Sequence, residues 1–493
     1  MKKRIIALVL LLLMLALPLF SCKKDNDDTT AGDGKGSSRF NGQLETGAVV
    51  KVLENDTARE LGYVDWLVAA FNDAYKDKGI SAEIMNTDQY SDLAQDGPYG
   101  YGPDVWYQAN DVLMKYADKQ HLLPLPVQDK DYFSQIPQSA WDAYRIDRNG
   151  NTYYCGIPVN VQSGMLYYIE SMLPDNWQEN WDVNSNGTPD FFETYTALYA
   201  LSEDIKANGG KTQRGYLDDM VDTYFVGGYL FSFGGYIFGK GGTDPADIGF
   251  NAGNSVLGAE MIMQWAGEME DEGVLDKTFA SASYNYLATG KMLCTVTTPD
   301  VYTMFIQQMV NTGKWDEASA RADLKMITVP RLPKSGSLTA DRWQDTVTDK
   351  ENLTIETTMM GGMNGYGISS YTQCPNASLA FVEFATDFAQ VVKRYQMLGI
   401  SPARADAATE ASKTDATVGI LFDRLNKGYI TIMPAISEVG QIWTPAESFF
   451  IDLTTDPYRA GKGETCFYDS REKIKAGLDK LCKTIYDAIF TLS

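Results

Sequence analysis

Residues Asp182 to Glu193 read DVNSNGTPDFFE. Asp182, Asn184, Asn186, Asp190 and Glu193 place side-chain oxygens at the first, third, fifth, ninth and twelfth positions of this stretch. Thr188 offers its carbonyl at the seventh, and Gly187 at the sixth permits a sharp turn. Hard Ca2+ takes about 6–8 oxygens, and a glutamate at the last place closes the shell in bidentate fashion. The spacing matches the calcium-loop pattern at every fixed place. The competing reading is an Asn/Gly turn with Thr188 as helix cap and Pro189 at the first helical position. Pro189 stands where paired loops carry an apolar residue, and no second loop of this kind occurs. The expectation is therefore a lone structural Ca2+ loop, a brace and not a sensor. Other metal or nucleophile chemistry is thinly supplied. The sole histidine, His121, argues against a His-based zinc site or a Ser-His-Asp triad. It lies in KQHLLPLP, where a surface or capping role is expected.

These residues must be positioned by a large chain. It has 493 residues, is 44% hydrophobic and 22% charged, and so has ample core for two large lobes. Its net charge is -23, although Lys2, Lys3 and Arg4 open the chain, so the body is more acidic still. Such a surface argues against nucleic acid and against polyanionic ligands. MKKR followed by IIALVLLLLMLALPLF is an export signal, too short to be a comfortable membrane span. After the signal, KKDNDDTTAGDGKGSS is a flexible tether. Cys155, Cys294, Cys374, Cys466 and Cys482 are scattered and odd in number, which is not a disulfide framework. Cys155, Cys294 and Cys482 read as buried thiols, and a Cys466–Cys482 bridge stays open.

Along the body, strands alternate with helices, the pattern of an α/β lobe with a covered, mainly parallel sheet. GAVVKVL, ISAEIM and DVWYQA are strands. The stretch 58–79 and NDVLMKYADKQH are helices, and DRNGNTYYCGIP is a hairpin. VQSGMLYYIE continues extended. Helices dominate from about 190 to 295, a strand is expected over 323–333, and 334–356 reads as loop. GGMNGYGISS is a strand whose glycines mark a close chain crossing. A long amphipathic helix follows it, and REKIKAGLDKLCKTIYDAIF is a C-terminal helix.

Several stretches then occur in a telling order. Leu19-Phe20-Ser21-Cys22 resembles a bacterial lipobox, with Phe20 bulkier than usual. QDGPYGYGPDVWYQANDVLMKYADKQHLLPLP, GIPVNVQSGMLYYIESMLP, ATGKMLCTVTTPDVY, GGMNGYGISS, LGISPARADA and GYITIMPAISEVGQIW follow. Together they resemble the extracellular solute-binding proteins of ABC importers, the maltose/maltodextrin-binding type especially, over about 45–490. The resemblance implies an α/β, two-lobed periplasmic-binding-protein fold, each lobe discontinuous, with a ligand cleft between. It implies a lipoprotein signal peptide at 1–21, and cleavage before and lipidation of Cys22, with the tether over 22–44. Lobe one would comprise 45–160 plus 365–412, and lobe two 163–360 plus 418–493. Hinges would lie near 158–161, 361–365 and 413–418.

A sugar needs carboxylates or amides for its hydroxyls and aromatic plates for its C–H faces. By the resemblance, Asp111 matches a carboxylate that accepts sugar hydroxyls. Gln162 stands at a position acidic in the maltose-binding type. Asp222 and Tyr224 match an acidic–aromatic pair. Trp443 matches a stacking tryptophan. Gln108 replaces one aromatic, and Asp300 and Tyr302 stand where two aromatics do. Those departures imply a stacking platform different from that of the maltose-binding type. Asp56 is either a further hydroxyl acceptor or an N-cap. Of the tyrosines in 224–238, most are expected in the core, with Tyr224 and Tyr229 the exceptions. The implied function is capture of a carbohydrate, such as a maltodextrin, for delivery to the transmembrane subunits of an ABC permease. The protein would be a monomer held outside the cytoplasm by its lipid, performing no covalent chemistry. The alternatives are an extracellular glycoside hydrolase, a surface glycan-binding lipoprotein without transport, and an importer of uronate oligomers.

Overall fold

The computed structural model describes residues 36–269 and 279–491. The export signal, Cys22 and most of the tether lie outside the described residues. Several strands of the two main sheets come from β-branched and aromatic runs, whereas the longest, MMGGMNGYGI, is rich in glycine and methionine. The strands of these sheets are β1 (Val49–Leu53), β2 (Ser81–Ile84), β3 (Val105–Ala109), β4 (Ile157–Ser163), β5 (Met165–Ile169), β6 (Arg214–Tyr216), β7 (Met292–Thr297), β8 (Leu324–Ile327), β9 (Met359–Ile368) and β10 (Ile430–Ile432). The helices that matter for the site are α1 (Tyr63–Tyr75), α2 (Asn110–Asp118), α3 (Tyr195–Asn208), α4 (Thr223–Ser232), α5 (Ser255–Met269), α6 (Phe388–Leu398) and α7 (Trp443–Gly461).

The first sheet has a parallel centre, with β1 flanked by β2 and β3. β9 joins antiparallel to β3, pairing Asn364 with Ala109 and Ile368 with Val105. On the opposite edge of β9 lies β4, also antiparallel. β10 runs parallel to the first residues of β9, Met359 to Gly361, on the same edge as β3. The second sheet has the order β8-β5-β7-β6, with β7 and β6 parallel. The chain passes from the first sheet to the second at Gly164, between β4 and β5. This is the two-lobed α/β arrangement expected from the sequence.

The expected hinge segments 158–161 and 361–365 face each other inside the β4–β9 pair. Close crossing explains the glycines. A Cβ on Gly361 would lie 2.3 Å from Ile430 Cγ2, and one on Gly365 2.3 Å from the Ile157 carbonyl oxygen. Residues 430–432, read from the sequence as part of lobe two, pair within the first sheet.

Local readings needed correction where tertiary contacts decide. The expected helix over 58–79 is broken at Gly62, whose φ of 75° places it in the left-handed region. Asn55, not Asp56, caps the short helix before it, accepting from the Ala58 N–H at 2.8 Å. The long helix after β9 is two helices, Pro375–Ala385 and Phe388–Leu398. Arg404 Nη1 takes the Thr386 carbonyl at the break, at 2.8 Å. The expected loop 334–356 contains helices Trp343–Thr348 and Lys350–Leu353. α4 is apolar on every side and buried accordingly. Tyr229, expected at the site, lies in the core, 5.5 Å ring to ring from Tyr195. His121 takes the expected capping role through its backbone, its N–H donating to the Tyr116 carbonyl at 2.9 Å beyond the end of α2, while its half-buried ring places Nδ1 2.6 Å from the Tyr371 hydroxyl. Cys155, Cys294, Cys374, Cys466 and Cys482 are all free thiols, so Cys466 and Cys482 do not pair.

Candidate ligand-binding site

In open α/β sheets, ligands gather beyond the carboxyl ends of parallel strands. Both sheets present acids there. β1 ends at Leu53, ahead of Asp56, and β3 ends at Ala109, ahead of Asp111. In the second lobe, β6 leads into Asp218, Asp219 and Asp222, and β7 leads through Pro299 to Asp300.

The acids of the two lobes converge on one tyrosine. Tyr224 is held by α4, whose N-cap is Asp222; the Asp222 Oδ1 accepts from the Tyr224 N–H at 2.8 Å. Burial pushes the Tyr224 hydroxyl far above the ordinary phenol range, and the charges of Asp300, Asp111 and Asp222 push it further. Asp111 reaches it from the first lobe, the other two from the second. Burial also raises Asp111, Asp222 and Asp300 above the ordinary carboxylate range. Asp300 Oδ1 has no hydrogen-bond partner. These groups are half-buried hydroxyl acceptors whose charges act on the Tyr224 hydroxyl from both lobes.

Trp443 opens α7 just after the turn Ser437–Gln441, which packs against α2, the helix carrying Asp111. One helical turn on, Glu447 lies on the same face. The Glu447 charge raises both Asp219 and Asp222, which places this face of α7 beside the N-terminus of α4. Asp219 is pushed up to about 6, first by burial, and its Oδ1 accepts from Val221 and Asp222 N–H groups, each at 3.1 Å. Asp219 and Glu447 are acids beside these candidates that the sequence reading did not single out. The signal for the first was the acidic run YLDDMVD directly after a strand. Nothing local marks Glu447.

The remaining candidates are more dispersed. Gln108 is buried in β3, its Nε2 donating to the Gln89 carbonyl at 2.6 Å. Gln162 is half-buried in β4, in register with Gly362. Asp56 is exposed and pairs with Arg59 at 3.1 Å. It lines a small surface pocket of the first lobe with Asp65 and Asn86. Tyr302 faces a separate groove of about 730 Å³, lined also by Arg321, Lys325, Tyr395 and Asp415. A further cavity of about 920 Å³ between α3, α5 and α7 contains none of these candidates.

The Asp182–Glu193 loop is a tight turn. Asp182 accepts from the Asn186 and Gly187 N–H groups at 2.9 and 3.1 Å. The Asn184 and Asn186 side chains both meet Glu193 Oε1, at 3.1 and 2.6 Å. Asp190 gives one oxygen to the Val183 N–H at 3.0 Å, while its buried Oδ1 is unpartnered. Burial pushes Asp190 up to about 6. Lys350 Nζ sits 2.6 Å from Glu193 Oε2. Among the described residues, no acidic, histidine or cysteine side chains are already gathered in threes as a metal cluster would need. The donor set fits a hard cation in kind: all oxygen, with one buried carboxylate oxygen unsatisfied.

Two lobes joined by crossing strands, with acids and aromatics at the facing strand ends, define a cleft-type binding protein. Residues 66–419 match the family model of the bacterial extracellular solute-binding proteins, and the chain belongs to that family. It is 24% identical over 464 residues to a maltodextrin-binding protein, MdxE, of Bacillus subtilis, covering 90% of each chain. It is 22% identical over 456 residues to a galactooligosaccharide-binding protein of the same organism, covering 90% of this chain and 92% of the relative. The fold is that of the maltose-binding protein MalE from Listeria monocytogenes in complex with maltose. That match has a TM-score of 0.66 at 20% identity, over 91% of this chain and 99% of that one. MalX from Streptococcus pneumoniae in complex with maltopentaose matches with a TM-score of 0.65 at 20% identity, over 89% and 99%. Among the described residues, no helix is long and apolar enough to cross a membrane.

Proposed function

We propose that the protein is the binding component of an ABC importer, anchored through lipidated Cys22, and that it captures an oligosaccharide between its lobes. The observation that carries this reading is the placement of Asp111 just beyond β3 in the first lobe and of Asp222 and Asp300 beyond β6 and β7 in the second, with their charges acting on Tyr224 at the start of α4. Carboxylates that accept hydroxyls around an aromatic plate are what a neutral sugar requires. The net charge of -23 disfavours a uronate ligand. Maltodextrins are the first ligands to try, given what the maltodextrin-binding relative is named for. Galactooligosaccharides are the second, on the same ground. The protein acts as a monomer outside the cytoplasm, hands its ligand to the permease and carries out no covalent chemistry.

In this reading the Asp182–Glu193 loop binds Ca2+ as a brace. Asp182, Asn184, Asn186, Asp190 and Glu193 supply side-chain oxygens and Thr188 its carbonyl. Bound calcium would supply a fixed positive charge that ties the loop to the start of α3, far in sequence from the sugar residues. The test is calorimetric titration of the body with malto- and galactooligosaccharides. Binding of one series without turnover supports the proposal. Release of reducing sugar from either series would favour a hydrolase instead.

A further inference from the structure

Behind the proposed site, the first lobe contains a fully buried ion pair. Arg394, on α6, donates Nη1 to Glu54 Oε1 at 2.7 Å and Nη2 to Glu54 Oε2 at 3.2 Å. Both side chains are 0% exposed. Glu54 is the residue immediately after β1, and its Oε2 also accepts from the Asn55 N–H at 3.2 Å. Tyr366, on the crossing strand β9, donates its hydroxyl to Glu54 Oε1. The guanidinium lies 3.9 Å from the ring centre of Tyr107 and 4.8 Å from that of Tyr63. Tyr107 in turn donates to Asn160 Oδ1 at 2.8 Å. Asn160 sits on the other crossing strand, β4, and its Nδ2 reaches the Ile400 and Ser401 carbonyls at 3.2 Å each. The β1 end, both crossing strands and the 400–401 segment are therefore joined by one buried polar chain.

Such a pair is poorly explained as a source of stability. Desolvating two charges costs about as much as their attraction returns, and well-packed apolar replacements are often neutral or stabilising. A polar network in a low-dielectric core does fix geometry, because each member has few alternative partners. We propose that Arg394 is a positioning residue. By clamping Glu54 it holds the end of β1 and the 54–56 turn in fixed register with β4 and β9, so that the strand ends of the first lobe and the crossing strands move as one body when the lobes open or close. Arg394 touches no ligand; it acts through Glu54, Tyr366 and Tyr107. The affinity part of this claim rests on the sugar-binding reading above, and the structural part does not.

The test uses the body of the protein in a Glu54→Leu/Arg394→Met double variant and, separately, Tyr107→Phe, which removes only the hydroxyl link to Asn160. Two quantities are read: amide hydrogen exchange without ligand, and affinity for maltotetraose. The expected result is faster exchange confined to residues 54–60, 157–163 and 399–403, and an affinity loss of about tenfold or more, while the unfolding temperature stays near the parent's. Tyr107→Phe, which keeps the ion pair, should speed exchange at 157–163 and 399–403. Unchanged exchange in these segments in a folded double variant would overturn the proposal, as would a uniform rise across both lobes. If the double variant does not fold, Arg394→Lys, which keeps the charge and loses the two-pronged contact with Glu54, decides by the same criterion. A parent protein that binds no maltotetraose would count against the choice of sugar, and exchange would still decide the positioning role.

Discussion

Asn110 and Met433 join the ends of two strands, each being the residue that follows its strand. Asn110 Nδ2 donates to the Met433 carbonyl at 2.9 Å, and its Oδ1 accepts from the Met363 N–H at 3.1 Å. β3 and β10 share one edge of β9, and Asn110 occupies the space between them. It also precedes Asp111, so the same side chain that completes the sheet edge sets the start of α2 at the site. Asn110→Ala leaves a buried donor and a buried acceptor unsatisfied, and each costs about 1–3 kcal/mol. The expected loss is roughly 2–6 kcal/mol in urea unfolding, together with weaker sugar binding. A variant as stable as the parent would contradict the account of this edge.

Asp111→Asn and Asp222→Asn keep the side-chain shape and remove the charge. Hydrogen bonds to charged groups contribute about 1.5–3 kcal/mol, so each change should weaken sugar binding by about 10- to 100-fold. Asp222→Asn also tests the cap, since asparagine caps as well as aspartate does; stability should therefore hold while affinity falls. Trp443→Ala should lower affinity by about tenfold or more through loss of a stacking face. Calorimetry and thermal unfolding on the same samples separate the two effects.

Asp218 makes stability depend on pH. Burial pushes its carboxyl up to about 8, with the Tyr216 hydroxyl donating to Oδ2 at 2.6 Å. In the unfolded chain an aspartate titrates near 3.9. Between the two values the folded state holds a proton that the unfolded state has released. Stability from this group is thus greatest at low pH and falls as pH rises towards about 8, at up to about 1.4 kcal/mol per unit. Asp218→Asn cannot ionise. Its stability relative to the parent should rise steadily between about pH 5 and 8. A constant difference over that range would mean that Asp218 is ionised in the folded protein.

Calcium should stabilise the protein without setting its affinity for sugar. A ligand that binds only the folded state adds about 2.7 kcal/mol at one hundred times its dissociation constant. Chelator should lower the unfolding temperature of the parent and leave that of Asp182→Ala unchanged. Sugar affinity should be nearly equal in both. A large affinity loss in a folded Asp182→Ala would contradict the brace.

The strand–helix alternation was legible because β-branched runs and amphipathic repeats are local signals. The glycines of GGMNGYG were legible as a crossing because nothing larger fits where Gly361 meets Ile430. What was hidden is non-local. The break at Thr386 depends on Arg404, and the core position of Tyr229 depends on Tyr195, far away in sequence. Asn55 and Asp56 are equally good caps by type, and only the backbone selects Asn55. Glu447 gives no sign of itself beyond standing one turn after Trp443. The acids that converge on Tyr224 were found through resemblance, since no spacing along the chain connects Asp111 with Asp300.

The most direct measurement is small-angle scattering of the body during titration with maltotetraose, paired with calorimetry on the same preparation. Domain closure about crossing strands predicts saturable one-to-one binding with a contraction of the scattering profile that follows occupancy. Binding with no change in the profile, or no binding by any malto- or galactooligosaccharide, would contradict capture of such a sugar between the lobes.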